Sequence, residues 1–96
     1  MSKALVSITA VRMTDAWHQL SKDEQNSLMA KVMAHRDQVG GVKSIVSARS
    51  LDAEWDFFVV DEYPDIEAIQ RLDDLDTELN WRRYWVGKSL LGTKWE

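Results

Sequence analysis

His18 and His35 are the only histidines in this 96-residue sequence, and histidine is the side chain whose ordinary pKa suits proton transfer near neutrality. His35 falls on one helical stripe with Leu28 and Val32, which would turn it inward, where a general base needs a substrate proton within reach. The plainer reading makes it a boundary residue near a helix C-terminus. His18 stands beside Trp17 in an expected loop, either in solvent or guarding a pocket mouth. No His-x-x-x-His pair or acidic cluster with ligand spacing accompanies the two, so a metal site is not expected. Zero Cys removes thiolate nucleophiles, disulfides and Fe–S clusters together.

Arg12 and Arg49 lie near the ends of expected strands, where charges usually pair at the sheet rim. Turned inward, a planar guanidinium could hold a carboxylate or enolate oxygen. Five Trp in so short a chain form the strongest compositional signal. Most aromatic area goes to core and interface, but Trp17, Trp81 and Trp85, with Tyr63 and Tyr84, would also wall a pocket for a flat ligand. The run Asp73-Asp74-Leu75-Asp76-Thr77-Glu78 lacks the glycine and alternating oxygens of a calcium loop and reads as a solvated, frayed helix end. No glycine-rich phosphate loop or nucleophile elbow is present.

These residues need a scaffold. Residues 4–13 read as a first strand with apolar residues on both faces. Residues 14–20 connect it to a helix opened by the capping box Ser21-Lys-Asp-Glu24, running to about Gln38 and stopped by Gly40-Gly41. A second strand over 42–50 joins a third, Trp55 to Tyr63, through Leu51-Asp-Ala-Glu54. Pro64 suits the first turn of a second helix, whose stripe is Ile66, Ile69, Leu72 and Leu75 and whose acids stop it near Asp76. Tyr84 to Leu90 is the fourth strand, and residues 91–95 a tail whose Trp95 would be wasted in solvent.

Strand, helix, strand, strand, helix, strand is the split βαβ order of an α+β, ferredoxin-like βαββαβ domain: a four-stranded antiparallel sheet with both helices on one face. The whole of 1–96 makes one such domain. The uncovered sheet face is apolar too, so two copies should shield each other and close into an α/β barrel.

In the residues Val11-Arg12, Trp17, Leu20-Ser21, Arg49, Asp52, Glu54, Trp81 and Tyr84-Trp85, over nearly its full length, the chain resembles the dimeric α/β-barrel superfamily. Within it the chain looks most like the small darcynin-type proteins. It departs from that pattern at Gly87, Lys88 and the residues from Leu91 onward. The resemblance implies a pocket between sheet and helices, and activities such as cofactor-independent monooxygenase, cyclase or isomerase. Haem-degrading members place an axial His on the helix after the third strand, and residues 64–76 contain none, so no cofactor is expected.

With twelve Lys and Arg against sixteen Asp and Glu, the net charge of −4 offers no basic field for a nucleic acid. No segment reads as a signal peptide or membrane span, which points to the cytoplasm. The expectation is a cytoplasmic homodimer whose other partner is a small hydrophobic, aromatic or polyketide-like molecule. His35 would be the base, Tyr84 and Arg12 donors to a developing oxyanion, and Trp17, His18, Arg49, Tyr63, Trp81 and Trp85 substrate contacts. The alternative is a non-catalytic dimeric module for binding a ligand or a protein.

Overall fold

The computed structural model describes residues 4–94. Its order is β1 (Leu5–Met13), α1 (Asp15–His18), α2 (Lys22–Val39), β2 (Lys43–Arg49), β3 (Phe57–Tyr63), α3 (Ile66–Glu78), a 3-10 turn (Trp81–Arg83) and β4 (Trp85–Thr93). The four strands form one antiparallel sheet in the order β2-β3-β1-β4. This is the ferredoxin-like α+β architecture that the element order implies.

The caps explain where the long helices start. Ser21 accepts from the Glu24 amide at 3.1 Å while the Glu24 carboxylate takes the Ser21 amide at 2.9 Å, so the capping box closes as read. Its end comes at Gly40, whose φ of 81° a residue with a Cβ would resist. At α3 the cap is Asp65, whose carboxylate accepts from the Ala68 amide at 2.8 Å. Pro64 therefore precedes the cap and is not part of the first turn.

Further boundaries differ from the sequence expectation. The connection after β1 holds the short helix α1, and Trp55 lies outside β3, in a turn whose amide reaches the Asp52 carbonyl. Helix α3 continues past Asp76 because Thr77 returns a hydrogen bond to the Asp73 carbonyl and stays within the helix. Leu91 to Thr93, expected in a tail, extend β4 against β1, with Leu91 opposite Ser7 and Thr93 opposite Leu5. Trp95 lies outside the described residues.

Strand alternation sorts the sheet into two faces. Leu5, Ser7 and Val11 of β1 and Asp61 and Tyr63 of β3 face the helices, where Val39, Ala68 and Leu72 complete the buried core. The opposite face carries Ile8, Val46, Phe58, Val86 and Leu90, exposed by 37% for Phe58 up to 72% for Leu90. Helix α2 meets the core through Val32 and Val39, whereas Met33 is 51% exposed.

Candidate functional site

Between the sheet and α3 lies a cavity of about 220 Å³. Ser7, Thr9 and Ser89 from the sheet form a polar floor, with Tyr63 and Trp85 beside them; Leu72, Asp73 and Asp76 of α3 form the opposite wall. Thr9 and Ser89, cross-strand neighbours on β1 and β4, share a hydrogen bond of 2.8 Å. Gly87 lets the indole lie close over β4, since a Cβ there would stand 2.5 Å from Trp85 Cζ3. The Trp85 indole N–H is shielded from solvent and has no acceptor among the described residues, a loss of about 1–3 kcal/mol for a buried donor.

Two hydrogen-bonded pairs tie the layers together behind this cavity. His35 Nδ1 lies 2.9 Å from Asp76 Oδ1, joining α2 to α3 with both side chains mostly covered. Burial pushes the Asp76 carboxyl above its ordinary value, and the His35 hydrogen bond pulls the other way without cancelling it. Arg36 meets Asp61 of β3 through two hydrogen bonds, of 2.8 and 3.3 Å. Burial works against the Arg36 charge, but the Asp61 carboxylate outweighs it and raises the guanidinium pKa. Burial, and next the Asp61 charge, raise the Tyr63 phenol, which stays a hydrogen-bond donor at neutral pH.

The sequence-derived candidates occupy several places. Tyr63 and Trp85 line the cavity, and His35 stands behind it through Asp76. Arg12 is exposed on β1, where its neighbours around an open depression include His18 and Asp56. Arg49 borders a separate cleft at the β2–β3 hairpin with Trp55. Trp17, Trp81 and Tyr84 pack as a cluster with ring centroids 6.0 to 6.4 Å apart, Trp17 edge-to-face with the other two and Trp81 tilted against Tyr84. Thr14 assembles that cluster by donating its amide to the Tyr84 carbonyl and its hydroxyl to that of Arg83. The structure thus brings Tyr63 and Trp85 to one cavity, with His35 behind it, and places Arg12 and Tyr84 elsewhere.

Residue reasoning missed Asp76, Asp61 and Arg36. Asp76 belongs to a largely covered hydrogen-bonded pair with His35 and not to a solvated helix end, and Asp61 pairs with Arg36 of α2. A signal existed: Asp76 stands seven residues after Ile69 and four after Leu72, on the same inward stripe. Helix α3 carries no histidine, so these residues do not fit the haem arrangement of the superfamily. Among the described residues no group of three or more His, Asp or Glu could hold a metal ion, and no helix is long and apolar enough to cross a membrane.

No family model and no curated protein matches the chain. Solved structures do. A chlorite dismutase-like protein superposes with a TM-score of 0.77 at 22% identity, over 98% of this chain and 46% of its own. A chlorite dismutase from Candidatus Nitrospira defluvii in complex with imidazole gives 0.77 at 14% identity, over 100% and 42%. SnoaB, a cofactor-independent oxygenase from Streptomyces nogalater, gives 0.64 at 14% identity, over 99% and 96%. The chain shares the ferredoxin-like α+β fold of these proteins. It spans less than half the length of the chlorite dismutase chains and nearly all of SnoaB.

Proposed function

We propose that the chain is a cofactor-independent enzyme that moves a proton on a small hydrophobic ring compound held between sheet and α3. It would act as a homodimer closed through the open sheet faces. The observation that carries this reading is the His35–Asp76 pair, 2.9 Å apart, with its carboxylate on the cavity wall. A carboxylate raised by burial is a stronger base than an exposed one, and His35 holds it in place. Asp76 takes the substrate proton, and the oxygen that gains negative charge meets the Tyr63 hydroxyl or the Trp85 indole N–H. The likeness to SnoaB in fold and length supports chemistry of the oxygenase, cyclase or isomerase kind, on fold analogy.

A second reading has its own support. The Arg36–Asp61 and Thr9–Ser89 pairs satisfy each other internally, as the polar groups of a non-catalytic ligand-binding or protein-interaction module would. Turnover separates the two. With phenols and enolisable ring ketones as substrates, Asp76→Asn and His35→Phe are expected to keep the fold by circular dichroism and the ligand by calorimetry, while losing turnover about a hundredfold. Wild-type rates in both variants, or binding without turnover in the parent, would overturn the catalytic reading in favour of the second.

A further inference from the structure

We infer that the cavity between sheet and α3 selects a neutral, single-ring phenol or diphenol and rejects ring carboxylates, with Asp73 and Asp76 as the specificity determinants. This rests on the reading above that the cavity is the ligand site. Size sets the first limit. An enclosed, dry cavity of about 150 Å³ holds benzene, and the 220 Å³ here, partly open to solvent, is of a size for one substituted ring. The walls set the orientation. Hydroxyls of Ser7, Thr9 and Ser89, with Trp85, stand on the sheet side and two carboxylates, with Leu72, on the helix side. A ring spanning that gap can donate a hydroxyl proton to a carboxylate at one end and exchange hydrogen bonds with the hydroxyls at the other.

Charge sets the remaining limit. Two carboxylates line the cavity against one guanidinium, that of Arg82. Arg82 is already engaged, 3.8 Å from Asp73 Oδ1 and 5.2 Å from the Trp85 ring centroid. An entering benzoate would meet like charge with no uncommitted cation on the lining, whereas a phenol supplies the donor that a carboxylate accepts.

Calorimetric titration of the wild-type protein with catechol, phenol, benzoate and 2-naphthol tests this. Catechol and phenol are expected to bind at least about tenfold more tightly than benzoate or 2-naphthol. Asp73→Asn and Asp76→Asn should each narrow the catechol-to-benzoate ratio about fivefold. Asp73 is largely exposed, so its variant carries the test should Asp76→Asn fold poorly. Benzoate or naphthol binding as tightly as catechol, an unchanged ratio in the Asp73 variant, or no binding by any phenol would overturn the inference. Selective binding without turnover would leave it standing while the catalytic reading fell. Turnover that depends on Asp76 without the selectivity would do the reverse.

Discussion

Asp76 concentrates the functional argument at the scale of one residue. Its carboxyl pKa is raised above 3.8 in the folded protein, chiefly by burial, so the fold holds this proton more tightly than the unfolded chain does. The stabilisation is therefore complete below 3.8 and is lost as pH rises through the folded-state value. Asp76→Asn keeps an acceptor for the His35 Nδ1–H and removes the titration. Relative to wild type, the variant should gain stability as pH rises from below 3.8 through the folded-state pKa, in denaturant unfolding. A variant that loses ground over that interval would show the charged pair with His35 to outweigh burial. Asp73, three residues earlier, is solvated and faces the same cavity from its rim, so neighbouring acids on one helix have different environments.

Elements are joined here by a charge as much as by apolar packing. Arg36 of α2 reaches Asp61 of β3, and both side chains are largely withdrawn from water. Asp61→Ala should cost about 3 kcal/mol in denaturant unfolding, because Arg36 would keep its charge without a buried partner. Replacing both residues by Leu should cost much less, and an equal loss in the double variant would contradict this account. The termini of α2 were legible beforehand, since a capping box and a glycine pair act within a few residues of themselves. The pairing of Arg36 was not, because its partner lies 25 residues away.

For the whole molecule, the open sheet face carries the proposed assembly. Ile8, Phe58 and Leu90 lie on three different strands yet form one apolar surface in the single chain. Two copies covering that surface account for it, and the wild-type mass by light scattering should be twice the 11.1 kDa of one chain. Phe58→Glu together with Leu90→Glu should give a folded species of one chain's mass, since both charges would be buried unpaired in the dimer. A wild-type protein that scatters as a single folded chain would remove the proposed assembly.

Local pattern in the sequence was enough for the order of strands and helices, the α2 cap and the two-faced character of the sheet, because alternation, capping and apolar stripes are read from neighbours a few residues apart. It also singled out Tyr63 and Trp85, which line one cavity, and His35, which stands behind it. Only the tertiary structure decided that Asp76 stands between His35 and that cavity, that Tyr84 joins Trp17 and Trp81 in packing, and that Arg12 faces away. Those relations depend on how α2 and α3 cross the sheet and on which strands become neighbours; His35 and Asp76 are 41 residues apart in the chain, and Trp17 and Tyr84 are 67 apart. Spacing along a sequence carries little information about partners brought together at that range.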